Sequence, residues 1–221
     1  MASTPKFDLL ARDTKKILAY SPAKDAPKFL IQDILRFISI SGTLKKINFK
    51  LDKTSSVDER YFTHILIRSL LESYFTNLYI FDDLSKMDER YEEFKNGFKE
   101  DYLKLMNSIN DSSCDLWDNF RNNYLNKLEP ADPNWKKLKT IPNMHDILVK
   151  LDKENSGGIP DLYPFYRITS FDTHAQSLGT IFETVFNKKS NFPIIDISKA
   201  IELIAEGYSS ILDNLKVKNY I

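Results

Sequence analysis

Apolar side chains recur every third or fourth position through most of the chain, the period of an α-helix, while alternating runs of Val, Ile or Thr that would mark strands are few. Phe7, Leu10, Ile17 and Leu18 define a first short amphipathic helix, closed off by Ser21-Pro22. A second starts near Asp25-Ala26-Pro27, with the aspartate as cap and the proline in the first turn, and directs Phe29, Ile34, Leu35, Ile38 and Leu44 toward a core. Ser56-Val57-Asp58-Glu59 is a capping-box pattern that opens a long apolar helix through Ile80, which must be central. Ser85 begins a mixed-charge helix to about Asn107, whose stripe of Tyr91, Phe94, Phe98, Tyr102, Leu105 and Met106 suits a peripheral position.

Beyond it, Leu116, Trp117, Phe120, Tyr124, Leu125 and Leu128 mark a helix over 113–128, ended by Glu129-Pro130-Ala131-Asp132-Pro133. A loop with a turn at Trp135 leads to a helix over 143–152 and then to a flexible connector near 154–160, which carries Gly157-Gly158. Pro164 opens a helix running to about Phe186, and Asp196 opens the last one, to about Leu215. The pattern predicts an all-α protein: a single helical domain over 1–221 with about seven to eight helices, the N-terminal ones in 1–55 and the main bundle in 56–215.

Composition narrows the chemistry. With 31 Lys+Arg against 31 Asp+Glu in 221 residues, the formal net charge is zero, which removes a basic nucleic-acid coat or a polyanionic tail. Six glycines, with no Gly-x4-Gly-Lys-Ser/Thr, Gly-x-Ser-x-Gly or His-Glu-x2-His pattern, leave nucleotide hydrolysis, serine hydrolysis and zinc proteolysis without their usual parts. The lone Cys114 and three histidines exclude an intramolecular disulfide and leave little for a zinc centre. No basic-then-apolar leader or membrane-length apolar run is present, so the expectation is a cytoplasmic protein with no membrane association and no metal or other cofactor.

Two groups of residues stand out. On the long apolar helix, His64, Arg68 and Glu72 recur every four residues as one polar stripe, flanked by Ile65, Leu66, Ile67, Leu70, Leu71, Phe75 and Leu78, so the stripe is expected to face protein, with Glu72 the partner of Arg68. Two roles are open to it: an ion pair that fixes helix register, or part of a ligand site. In the second group, Tyr166, Ser170 and His174 are spaced by four, and Arg167 lies seven before His174. On an α-helix seven residues fall about 20° short of two turns and climb roughly 10.5 Å, so Arg167 and His174 share a face and can converge on a phosphate-sized group. Histidine exchanges a proton near neutral pH and arginine presents a fixed fork of donors to phosphate oxygens. A structural histidine filling a polar gap between helices, with Arg167 reaching to the surface, is the alternative. Asp82-Asp83 and Glu92-Glu93 read as solvated helix faces or ends, and Tyr91, Phe94, Phe98 and Tyr102 as core rather than a base-stacking platform. Lys136, Lys137, Lys139, Lys188 and Lys189 form short basic clusters that can touch phosphates.

The Arg-x6-His spacing of Arg167 and His174, on a late helix of a small all-helical protein, resembles the Arg-x4-6-His motif of the HEPN superfamily. It departs from the commoner ribonuclease pattern at Ile168, where a polar residue usually follows the arginine. Arg68-Ser-Leu-Leu-Glu72 together with Tyr166-x3-Ser170-x3-His174 also resembles a group of uncharacterised bacterial helical proteins with an Arg-x3-Glu helix before a Tyr-x3-Ser-x3-His helix. The HEPN resemblance implies a helical bundle that forms a homodimer with the motif helices facing each other, and a metal-independent endoribonuclease acting in defence or toxin-antitoxin systems. It implies Arg167 and His174 as catalytic residues on an RNA substrate, with Tyr166, Ser170, Arg68 and Glu72 positioning. The rival expectation is a non-catalytic helical module that binds a partner protein or a regulatory nucleotide, which the neutral charge favours.

Overall fold

Ser56 and Glu59 exchange the two hydrogen bonds of a capping box, Glu59 N–H to Ser56 Oγ at 3.1 Å and Ser56 N–H to Glu59 Oε2 at 2.8 Å. The helix they start is the axis of the fold. The computed structural model describes residues 4–20, 25–47, 49–52, 54–111, 113–153, 158–173, 178–188 and 195–221. Among these the α-helices are α1 (Lys6–Arg12), α2 (Thr14–Ala19), α3 (Asp25–Lys46), α4 (Val57–Phe81), α5 (Met87–Asn110), α6 (Asp118–Tyr124), α7 (Met144–Lys153), α8 (Ile159–Thr173), α9 (Leu178–Phe186) and α10 (Ile197–Val217). Short 3-10 turns lie at Leu84–Lys86, Asp115–Trp117, Leu125–Lys127 and Pro133–Lys137, and no strand occurs among the described residues.

The last two turns of α4 are buried without interruption from Tyr74 to Phe81, because α3, α5, α7, α8 and α10 all pack on this helix. That is why its sequence is apolar around most of the circumference rather than along one stripe. Tyr74, Phe75 and Ile80 of α4 join Phe37 and Leu30 of α3, Tyr208 and Ile204 of α10, and Leu162 of α8 in one core. Asp196 caps α10 through Lys199 N–H, as its position before the apolar run predicts. No helix among the described residues is long and apolar enough to cross a membrane.

The all-α expectation holds, with ten α-helices described in place of seven to eight. The first expected helix is two, divided at Asp13, whose N–H reaches both Leu9 and Leu10 carbonyls as the turn tightens. The expected helix over 164–186 is α8 and α9, with 174–177 between them outside the described residues, and α8 begins at Ile159 rather than at Pro164. Pro164 sits within its second turn, where it forgoes only the hydrogen bond to the Pro160 carbonyl. Of the expected connector over 154–160, residues 154–157 lie outside the described residues, Gly158 stands at φ 68°, and Ile159 and Pro160 belong to α8 instead. The expected helix over 113–128 is instead two 3-10 turns around the short α6, with Leu116 91% exposed.

Two expectations for α5 are corrected. The helix is not peripheral along its whole length: Arg90 is buried, donates from Nη1 to the Tyr79 carbonyl and lies 4.6 Å over the Tyr79 ring. Glu93 is not a solvated residue, being buried and paired with Lys139. Of the aromatic stripe, Tyr91 and Phe94 pack on Phe29 against the core, whereas Phe98 is 70% exposed.

Candidate functional site

Helices α4 and α8 run antiparallel along a polar seam. The pairing of Arg68 with Tyr166 and of His64 with Asp172 sets this direction, since the partner number rises on α8 as it falls on α4. Arg68 is anchored three ways. Its Nε donates to Glu72 Oε1 at 2.9 Å, one turn along the same helix, Nη1 donates to the Tyr166 carbonyl at 2.5 Å, and the guanidinium carbon lies 3.4 Å from the centroid of the Tyr166 ring. Phe75 meets the same ring edge-on at 5.7 Å between centroids. Burial pushes the Tyr166 phenol upward against the opposing effect of the Arg68 charge. Glu72 keeps its side chain 47% exposed, so one end of this network meets water.

One turn earlier on α4, His64 is 1% exposed and its Nδ1 stands 2.6 Å from Asp172 Oδ2. Asp172 is also buried and accepts the Leu178 backbone N–H at 2.9 Å through its other oxygen, tying the end of α8 to the start of α9. Burial by itself would raise the Asp172 carboxyl; the hydrogen bonds from His64 and Leu178 and the charges of His64 and Arg60 outweigh it and hold the group below its ordinary range. An ionised carboxylate only accepts, so His64 Nδ1 carries the proton of the shared bond, and Nε2 has no partner among the described residues. At the head of the seam, Arg60 crosses Gly179 so closely that a β-carbon there would lie 2.6 Å from Nη2. A β-carbon at this position would displace the flexible end of the Arg60 side chain.

The seam therefore joins Arg68 to Glu72, as their i,i+4 spacing predicts, and brings Tyr166 to the same guanidinium, which spacing alone does not predict. Ser170 lies half-buried on α8, one turn beyond Tyr166. Arg167 is on the solvent side of α8, exposed and without an ion pair among the described residues, while Leu162, Phe165, Tyr166, Thr169 and Asp172 hold the inner side. His174 lies outside the described residues. Asp172 was missed by sequence reasoning: it stands 108 residues from His64, and only its place seven residues after Phe165 and three after Thr169, on the inner face of α8, hints at a role. No group of three or more His, Cys, Asp or Glu among the described residues is arranged to hold a metal ion.

Residues 43–192 match the family described as "Family of unknown function (DUF5677)". The chain belongs to this family. The DUF5677 match runs from the last turn of α3 through α9, and so takes in Arg68, Glu72, Tyr166, Arg167, Ser170 and His174, along with the whole α4–α8 seam. No curated protein and no solved structure matches the chain.

Proposed function

We propose that this protein is a HEPN-like, metal-independent endoribonuclease in which Arg167 and His174 act on the scissile phosphate, working as a homodimer and as a toxic effector of a bacterial defence or toxin-antitoxin system. The observation that carries the reading is the two-sidedness of α8: its inner face is locked by Arg68 and His64, and its outer face presents the unpaired Arg167. A rigid helix with a free guanidinium is preorganised for phosphate, because the donors need not be withdrawn from another partner. In the reaction, His174 takes the proton of an RNA 2′-hydroxyl, the 2′-oxygen bonds to the adjacent phosphorus, and the 5′-oxygen leaves with a returned proton, giving a 2′,3′-cyclic phosphate. Arg167 holds the charge that develops on the phosphate oxygens. Tyr166, Ser170, Arg68 and Glu72 position that helix.

A second reading, a non-catalytic module that binds a regulatory protein, is favoured by α9. This helix buries Leu178 and Gly179 and leaves Ile181, Val185 and Phe186 exposed. Expression of wild type, Arg167→Ala and His174→Ala in a bacterial host, with RNA cleavage by the purified proteins in EDTA, separates the two readings. Cleavage by wild type alone supports the ribonuclease, and intact RNA with all three supports the module.

A further inference from the structure

Phe98, Tyr102 and Leu105 fall on one face of α5, at i, i+4 and i+7, yet it is the neighbouring face of Leu103, Met106 and Ile109 that is buried. Phe98 is 70% exposed and lies nearly parallel to the Tyr102 ring, 22° apart with centroids at 6.0 Å. Trp135, from the 3-10 turn Pro133–Lys137, adds a third ring 6.4 Å from Tyr102. These rings are held in place from behind. Tyr102 Oη donates to the Glu129 carbonyl at 2.8 Å, Asn96 Nδ2 donates to the Lys139 carbonyl at 3.0 Å, and Ile141 N–H donates to the Glu93 carbonyl at 3.0 Å, so the 129–141 segment is laid along α5.

Most charges around the strip are paired: on α5, Lys104 holds both Glu100 and the exposed Asp101. Lys139 is committed to Glu89 and Glu93, and Lys99 to Glu92 and Asn96. Asp132 accepts the Asn134 backbone N–H at 2.8 Å and its side-chain amide at 3.1 Å, capping the turn. Lys136 and Lys137, adjacent to Trp135, are exposed and carry no ion pair among the described residues.

We infer that Phe98, Tyr102 and Trp135 form a stacking platform for unpaired bases of single-stranded nucleic acid, with Lys136 and Lys137 on its phosphates. Aromatic faces take any base, and the free ammonium groups supply the charge that a protein as a whole neutral lacks. A protein partner would use the apolar rings but has no need of two unpaired lysines beside them. The platform deepens the ribonuclease reading by giving the substrate strand a second hold; its test measures binding alone, so a failure of cleavage and a failure of binding are separate results.

The probe is an uncleavable 2′-O-methyl oligoribonucleotide of mixed sequence, about twelve nucleotides long, within the range of single-strand sites. In Trp117→Phe protein the emission reports Trp135. The expected result is quenching by the single strand, weakened by salt and absent with the same sequence as a duplex. Phe98→Ala should weaken binding roughly tenfold, the usual effect of losing one stacking ring, and Lys136→Ala with Lys137→Ala should flatten the salt dependence. All variants should melt with wild type, since the side chains are at the surface. Absence of quenching, duplex binding as tight as single-strand binding, or unchanged affinity in both variants would overturn the platform; in those cases the strip is left to a protein partner.

Discussion

The Arg68 guanidinium lies 3.4 Å from the centre of the Tyr166 ring and donates to that residue's own carbonyl oxygen, so one side chain of α4 grips both the side chain and the backbone of α8. A lysine offers neither the planar face nor the fork that this grip uses. The helix that bears Arg167 is thereby fixed from behind.

Arg68→Ala should lower stability by about 1–3 kcal/mol, because the Tyr166 ring loses its stacked partner and the buried Tyr166 carbonyl loses a charged donor. Arg68→Lys should recover only part of this. Glu72→Ala should cost under about 1 kcal/mol, since that carboxylate is half in water and its attraction is screened. Urea denaturation midpoints check all three, and an unchanged midpoint for Arg68→Ala would refute the grip.

Two buried carboxylates should respond to pH in opposite directions. Asp172 is held below its ordinary 3.8, so its contribution is complete above that value and is lost as pH falls through the lowered one. Asp33 is raised by burial, against the pull of Arg36 and Asn77, so its ionisation works against the fold as pH climbs above 3.8. Relative to wild type, Asp172→Asn should therefore grow more destabilising from about pH 3 to pH 7, while Asp33→Asn should improve over the same span. Thermal melts across that range measure both slopes, and slopes of one sign would contradict these assignments.

Gly207 on α10 should not tolerate alanine. A β-carbon there would stand 1.8 Å from the Tyr74 hydroxyl oxygen, and Tyr74 is fully buried with no room to withdraw. Gly207→Ala should cost about 1–3 kcal/mol through overpacking, although alanine is the better helix former. Gly97→Ala on α5 is the contrasting case. Its β-carbon would meet only the Ile141 side chain at 3.8 Å, so a neutral or raised melting temperature is expected.

What the sequence made legible is local. The Ser56–Glu59 box, the Asp196 cap and the Arg68–Glu72 pair all lie within four residues of each other in the chain, where helix geometry dictates the contact. The Asp172 partner of His64 and the Gly179 crossing of Arg60 depend on how α4, α8 and α9 dock, which periodicity does not encode. Phe98 shows the same boundary. Its spacing identifies an apolar face on α5 correctly, but whether that face is covered depends on the path of 129–141, which lies along one side of it and leaves the ring open. The HEPN resemblance rests on Arg167 and His174, and the outward direction of Arg167 could not be read from a helix with apolar residues on several sides.

Cleavage of single-stranded RNA in EDTA is the deciding measurement, made on purified wild type, Arg167→Ala and His174→Ala, each first shown to melt cooperatively. Arg167 is at the surface, so Arg167→Ala should fold as well as wild type while losing cleavage. Products ending in 2′,3′-cyclic phosphate are expected from wild type, and intact RNA from both variants. Intact RNA with wild type, or equal cleavage by folded Arg167→Ala, would refute the proposed ribonuclease.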